Sequence, residues 1–193
     1  MPKVCLNAGH KVGMDPGVVG SKGNEAELVL KYANIAADYL RKVGYDVLVV
    51  QENELYDICA ASDNYGADVF VSIHINGAVN SGAYGTEVFY YAGSANSEKL
   101  ANCVYSQVES YMVGSRLAQR PDVSETLVRD TSNRGIKDGG PNGANLYVVK
   151  HTAAPACLLE VGFISNDLDQ DILIYNYDQI GAAIARGVSD YFA

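Results

Sequence analysis

Two histidines and one glutamate stand where short apolar runs of the chain end. His10 follows the first run, His74 lies near the end of the third, and Glu160 ends the run Ala-Cys-Leu-Leu-Glu. If these runs are parallel strands, their carboxyl ends meet at one edge of a sheet, which is where ligands collect. Imidazole and carboxylate are ligands of Zn²⁺, and a catalytic zinc site keeps one position open for water. The three residues together predict a catalytic zinc site at that edge.

Each residue also has a plainer interpretation. A lone histidine on a buried strand, such as His74, is more often a hydrogen-bonded core residue, and His10 in a glycine-rich loop is more often a loop residue. Glu160 is also consistent with a buried glutamate paired with a base, although no partner is evident in the sequence. Apolar neighbours disfavour a charged carboxylate and raise its pKa. Such a shift suits a general base that works near neutral pH.

The remaining protein ligand is expected from the first turn of the helix that follows the His10 loop. Glu25 and Glu27 are both there, and they lie about 200° apart around a helix, so only one can face the sheet edge. A carboxylate in a first turn is also stabilised by the helix dipole without any metal. The residues alone leave the choice between the two glutamates open.

Alternating strand and helix patterns organise the rest of the chain. Predicted strands cover residues 3–9, 46–50, 68–75, 86–91, 146–149 and 156–161, and predicted helices cover 24–43, 54–65, 95–113, 166–174 and 178–192. This alternation predicts an α/β fold, with a single mostly parallel twisted sheet and helices on both faces. The polar, turn-rich segment 114–145 is expected to border a substrate groove rather than the core.

Composition narrows the function classes. The chain has 193 residues, of which 48% are hydrophobic, so we expect one globular domain spanning residues 1–193. The net charge of −9 disfavours a nucleic-acid-binding protein. No apolar run approaches the ~18 residues that a membrane span needs. The four cysteines form no Cys-x-x-Cys pair, and Cys5 and Cys157 are predicted to be buried thiols.

Three motifs give the chain a family resemblance. A Gly-His loop before a glutamate-led helix, Ser-Ile-His-Ile-Asn at 72–76 and Leu-Glu-Val-Gly-Phe at 159–163 occur together. The chain resembles the zinc-dependent N-acetylmuramoyl-L-alanine amidases of the type-3 amidase family, which degrade bacterial cell walls. The matching stretches cover nearly the whole chain and include 7–20, 24–47, 66–78, 85–91 and 134–166.

The resemblance implies a set of site residues. One Zn²⁺ per chain would be held by His10, Glu25 and His74, with Glu160 as the catalytic carboxylate. The family's spacing to its Gly-Tyr-x-Val turn favours Glu25 over Glu27. Asn76 is expected to orient His74 or the substrate.

The implied reaction is hydrolysis of the amide between N-acetylmuramic acid and L-alanine in peptidoglycan. Two alternatives remain at this stage: a zinc peptidase that cuts within the stem peptide, and a non-catalytic wall-binding module on the same fold. No secretory signal peptide is recognised at the amino terminus. We therefore expect a phage or prophage lysin, or the catalytic domain of a secreted autolysin, with any wall-binding domain separate from this chain.

Overall fold

The computed structural model describes residues 1–126, 128, 134–139 and 146–193. The strands are β1 Lys3–Ala8, β2 Asp46–Val50, β3 Val69–Asn76, β4 Glu87–Tyr90, β5 Gly135–Asp138 and β6 Ala156–Phe163. The helices with defined bounds are α1 Glu25–Lys42, α2 Leu55–Tyr65, α3 Ala95–Gln119, α4 Tyr147–His151, α5 Asp167–Tyr175 and α6 Tyr177–Phe192.

The strands form one six-stranded sheet in the order β2-β1-β3-β6-β4-β5. β2, β1, β3 and β6 are parallel to one another, β4 is antiparallel to β6, and β5 is parallel to β4. The prediction of a mostly parallel α/β sheet is confirmed. Because β4 and β5 run in the opposite direction, their first residues lie at the edge of the sheet where β1, β3 and β6 end.

Side-chain alternation along the strands divides the core into two layers. In β1, Val4 and Leu6 pack into the larger cluster, which also contains apolar residues of α1, α3, α5 and α6. Cys5 points to the other face and packs with Ile58 of α2 and Val148 of α4. Successive residues of a strand face opposite sides of the sheet, so each strand supplies both layers. The helices therefore cover both faces, as predicted.

Two element predictions are wrong. Residues 146–149 were expected to form a strand, but Tyr147–His151 is the short helix α4. A short apolar run cannot be assigned to helix or strand by periodicity alone. α3 was expected to end at residue 113, but it continues to Gln119, and Arg116 in its last turns is buried.

The segment 114–145 is thus not a uniform loop. Residues 114–119 belong to α3, and residues 135–138 form the strand β5 at the end of the sheet. Residues 127, 129–133 and 140–145 lie outside the described part of the chain. For those residues the expectation that they border a substrate groove stays a prediction.

Two further properties concern the chain as a whole. All four cysteines are free thiols, and Cys5 and Cys157 are buried as predicted. Burial raises the pKa of the Cys5 thiol to about 12. Within the described residues, no helix has both the length and the apolar character to span a membrane.

Candidate metal centre

The structure brings His10, Glu25 and His74 together at the edge where β1 and β3 end. One potential ligand atom from each residue lies within 4.8 Å of the other two. His10 Nε2 is 3.2 Å from Glu25 Oε2, and His74 Nδ1 is 2.9 Å from Glu25 Oε1. The three side chains form a candidate metal-binding group.

His10 is held in an uncommon backbone conformation directly after β1. Its φ is 59°, in the left-handed region that residues other than glycine rarely adopt. The Nδ1 atom lies 2.6 Å from Asp15 Oδ2, and Asp15 Oδ1 accepts a hydrogen bond from the Gly17 backbone. With Nδ1 bound to a carboxylate, Nε2 is the atom directed at Glu25. A histidine ligand oriented by a carboxylate in this way is common in metal sites.

Glu25 reaches the site from the first turn of α1. Asn24 caps this helix by accepting a hydrogen bond from the Glu27 backbone N–H. Glu25 is buried and faces the two histidines, whereas Glu27 is exposed to solvent. Of the two glutamates left open by the helix geometry, the structure places Glu25 with the histidines.

Backbone donors and the histidines fix the Glu25 carboxylate. Val18 N–H donates to Oε2 and Ile75 N–H donates to Oε1, each at 3.0 Å. Burial opposes ionisation of Glu25, but the hydrogen bonds to His10 and His74 outweigh it and hold the pKa well below its usual range. The same contact with Glu25 raises the pKa of His10 to about 9. Glu25 and His10 thus each stabilise the charged form of the other.

Two glycines allow the ligand side chains to approach the loop backbone. A Cβ atom at Gly9 would overlap the His74 ring. A Cβ atom at Gly17, whose φ is +64°, would lie 2.5 Å from Glu25 Oε2 and 2.7 Å from His10 Cδ2. Any larger residue at these positions would displace a ligand side chain.

Glu160 lies beside His74 in the sheet. The two residues are directly paired between β3 and β6, and paired residues project from the same face. Glu160 Oε2 is buried and has no hydrogen-bond partner among the residues that the structure describes. Burial, together with the charges of Glu25 and Glu87, raises the pKa of Glu160 well above its usual value. The structure thus contains no base paired with Oε2 in its described part.

Asn76 has partners other than His74. Its side-chain N–H donates to Glu87 Oε1 at 2.6 Å, and its Oδ1 accepts from the Gly77 backbone at 2.9 Å. Glu87, the first residue of β4, also accepts from Arg134 Nε at 3.1 Å and from Lys137 Nζ. The side chain of Asn76 therefore connects β3 to a charged group on β4 and β5.

Glu87, Arg134 and Lys137 were not predicted as site residues. The reasoning from strand carboxyl ends could not find them, because β4 and β5 run in the opposite direction and bring their first residues to this edge. A signal that could have indicated Glu87 is its place as an acidic residue at the start of the alternating run Thr-Glu-Val-Phe-Tyr-Tyr.

A cleft opens beside the two histidines on the side of α2 and α4. It has a mainly apolar lining, to which Leu55, Ile58, Leu146, Val148 and Leu158 contribute. The candidate metal group thus has an apolar cleft on one side and the charged residues of β4 and β5 on the other.

Fold and site together define an α/β protein with a candidate metal group at the carboxyl ends of its parallel strands. The model of the N-acetylmuramoyl-L-alanine amidase family matches residues 4–190. The chain belongs to this family. It is a hydrolase that cleaves the amide bond between N-acetylmuramic acid and L-alanine in the peptidoglycan of the bacterial cell wall.

Individual proteins are similar to this chain over nearly its whole length. The uncharacterized protein YqiI of Bacillus subtilis is 32% identical over 98% of this chain and 84% of its own length. The germination-specific N-acetylmuramoyl-L-alanine amidase of the same organism is 26% identical over 98% of this chain and 79% of its own length. A Bacillus anthracis cell wall amidase is 30% identical, and the match covers 35% of that longer protein.

Solved structures share the fold. The catalytic domain of the amidase CwlV from Bacillus (Paenibacillus) polymyxa superposes with a TM-score of 0.81, at 28% identity, covering 100% of this chain and 98% of that domain. The catalytic domain of the CD27L endolysin, at 23% identity, has a TM-score of 0.75 and covers 98% of both chains. At that identity the endolysin comparison shows the fold alone.

Proposed function

We propose that this amidase works with one Zn²⁺ held by His10, Glu25 and His74, and that Glu160 is its catalytic acid and base. We further propose that residues 1–193 act as one catalytic domain. The observation that carries the proposal is the position of Glu160. A buried carboxylate oxygen without a described partner stands directly beside a compact group of two imidazoles and one carboxylate.

The donor set fits zinc. Two imidazole nitrogens and one carboxylate are the protein ligands of many catalytic zinc sites, which leave a further position open. Zinc bound there supplies Lewis acidity, which polarises a carbonyl group and lowers the pKa of water. Asp15 supports the same interpretation, since it fixes the His10 ring with Nε2 directed at Glu25.

Glu160 is suited to moving one proton through the reaction. It accepts a proton from the attacking water as the water oxygen bonds to the carbonyl carbon of the scissile amide. When the carbon–nitrogen bond breaks, Glu160 gives that proton to the nitrogen. The products are a lactyl carboxyl group and the free amino group of L-alanine. Burial raises the pKa of Glu160 above its usual value, and a carboxylate with a raised pKa is a stronger base toward the attacking water.

Asn76 is proposed to act on the substrate side of the site rather than on His74. Both ends of its amide are engaged, with Glu87 and with the Gly77 backbone. It therefore holds the turn after β3 and the Glu87 carboxylate in fixed positions beside Glu160.

Metal analysis combined with product analysis tests the proposal. The purified protein is expected to contain about one zinc per chain, to lose wall hydrolysis on chelation and to regain it when zinc is added. The new amino termini released from purified peptidoglycan should be those of L-alanine. A peptidase would instead release the amino terminus of another stem-peptide residue. Full activity in protein shown to be free of metal would contradict the proposal.

A further inference from the structure

Two cationic side chains contact Glu87, the β4 residue paired with Glu160, on the side away from the apolar cleft. Glu160 is paired with Glu87 across β6 and β4, and Glu87 is paired with Gly135 across β4 and β5. Arg134 precedes Gly135, and its Nε lies 3.1 Å from Glu87 Oε2. Lys137 Nζ donates to the same oxygen. Both cations thus contact Glu87 of β4, the strand that lies between β5 and the proposed catalytic carboxylate on β6.

Glu87 orients these cations but does not balance their charge. Its side chain is 5% exposed, whereas those of Arg134 and Lys137 are 36% and 40% exposed. Two positive charges meet at one buried carboxylate, so among these three described side chains the positive charge exceeds the negative charge by one. This occurs in a chain whose net charge is −9. The Arg134 guanidinium also lies over the Phe163 ring, 4.7 Å from its centroid, which further fixes its position.

The two halves of the substrate differ in charge. The lactyl carboxyl of N-acetylmuramic acid is consumed in the scissile amide, so the sugar half carries no free carboxylate. The peptide half carries carboxylates on residues beyond L-alanine. A partly exposed pair of cations beside the reacting amide is therefore complementary to the peptide half.

We propose that Arg134 and Lys137 form a binding site for a carboxylate of the stem peptide and thereby set the direction in which the substrate lies across the sheet edge. The peptide half lies toward β4 and β5, and the sugar half lies toward the cleft between α2 and α4. This inference rests on the proposed function of Glu160 and the metal group. Guanidinium and ammonium groups make charge-assisted hydrogen bonds to carboxylates, which are stronger than neutral ones.

Two matched substrates test this site in the zinc-loaded protein. One is N-acetylmuramoyl-L-alanyl-D-glutamate, and the other is its analogue with both glutamate carboxylates converted to carboxamides. We expect the parent to prefer the carboxylate substrate by about tenfold to hundredfold in kcat/KM, mainly through KM. Arg134→Gln and Lys137→Met should each reduce that preference by about tenfold.

Two control variants distinguish the effect of losing a positive charge from the effect of a structural change. Arg134→Lys keeps the positive charge and should keep most of the preference. Lys99→Met removes a cation from α3 that donates to the Tyr191 carbonyl on α6, and it should leave the preference unchanged. Calorimetric titration with the product dipeptide L-alanyl-D-glutamate gives a second measurement. Its Kd should rise in Arg134→Gln and Lys137→Met but not in Lys99→Met.

The outcomes distinguish this inference from the proposed function. If the parent cleaves both substrates equally well, the carboxylate site is wrong while the proposed function stands. If both variants lose activity on the two substrates to the same extent, Arg134 and Lys137 serve only to neutralise Glu87, and the inference is again overturned. If the zinc-loaded parent cleaves neither substrate nor purified walls, the proposed function fails, and this inference fails with it.

Discussion

Glu160 differs from Glu25 in what surrounds its carboxylate. Glu25 receives two backbone hydrogen bonds and contacts two histidines, whereas Glu160 Oε2 is buried without a partner in the described structure. We predict that Glu160→Gln keeps zinc, because the three ligands are untouched. Turnover should fall by about 10²–10⁴-fold, the usual cost of losing a general acid–base group.

The measurement for Glu160→Gln is zinc content together with the rate at which L-alanine amino termini appear. Glu27→Gln is the matched control, since Glu27 is an exposed carboxylate in the first turn of α1. It should keep both zinc and rate. Turnover of Glu160→Gln within a few-fold of the parent would make Glu160 a structural carboxylate, and loss of zinc would make it a ligand.

Two glycines of the loop after β1 differ in why glycine is needed. Gly17 and Gly13 both have positive φ, but only Gly17 also lies close to other side chains. Both have positive φ, at +64° and +82°, so alanine is strained at either position. Only at Gly17 would the added Cβ meet Glu25 and His10, since nothing lies within 4 Å of a Cβ at Gly13. We predict that Gly17→Ala weakens zinc affinity by about tenfold to hundredfold, as displaced supporting contacts do.

Gly13→Ala should lose stability to a similar extent but keep its zinc affinity. Competition with a chelator of known affinity measures the zinc affinity, and thermal unfolding measures the stability. Equal zinc affinity in the two variants would show that the loop shifts to accept the added Cβ. The close approach of Gly17 to Glu25 and His10 would then be unimportant for zinc binding.

At the scale of single residues, the sequence was sufficient to predict which side chains meet where a metal-ligand or acid–base residue stands at the end of a parallel strand. His10, His74 and Glu160 could be predicted to meet because they end parallel strands. Asp15 could not be singled out, because its role depends on the left-handed turn at His10, which no local pattern specifies.

At the scale of elements, the N-cap of α1 stabilises the helical turn that carries Glu25. Asn24 accepts a hydrogen bond from Glu27 N–H at 3.0 Å and so fixes the first turn, with Glu25 turned inward. We predict that Asn24→Ala lowers the free energy of unfolding by about 1 kcal/mol, the usual cost of losing an N-cap. It should also weaken zinc binding, because the frayed turn carries a ligand.

Ser94→Ala is the control for Asn24→Ala. Ser94 caps α3 in the same way, by accepting from Ser97 N–H, but α3 contributes no ligand. Its loss should cost similar stability and leave zinc affinity unchanged, as measured by denaturant unfolding and chelator competition. If both variants bind zinc as the parent does, the cap stabilises the helix without positioning Glu25.

The elements that were predicted wrongly have a common cause in tertiary contacts. α3 continues beyond residue 113 because Arg116, in its added turns, pairs with the buried Asp169 and lies over the Tyr84 ring. α4 is a helix because Val148 and Val149 both pack into the smaller apolar cluster. The partners of Arg116 are distant in sequence, and the smaller cluster also includes distant residues such as Cys5, Ile58 and Phe70, so local patterns could not indicate these contacts.

At the scale of the whole molecule, one buried ion pair joins the elements behind the site. Asp169 of α5 is fully buried and pairs with Arg116 of α3. It also accepts backbone hydrogen bonds from Gly85, just before β4, and from Phe163 at the end of β6, at 3.0 and 2.9 Å. The strands that carry Glu87 and Glu160 are therefore held by one carboxylate.

We predict that Asp169→Asn is strongly destabilising while the chemistry of the site persists. Removing one partner of a buried ion pair leaves the other charge unpaired and costs about 3–5 kcal/mol, which for a chain of this size lowers Tm by about 10 °C.

Asp171→Asn is the control on the same helix, because Asp171 pairs with Lys22 at the surface. Such pairs contribute about 0–1 kcal/mol, so its Tm should stay within a few degrees of the parent. Calorimetry of the zinc-loaded proteins measures both Tm values, and turnover is measured well below the unfolding transition of either variant. If the Tm of Asp169→Asn equals that of Asp171→Asn, the buried pair does not hold the strands, and the backbone hydrogen bonds that asparagine can still accept are sufficient.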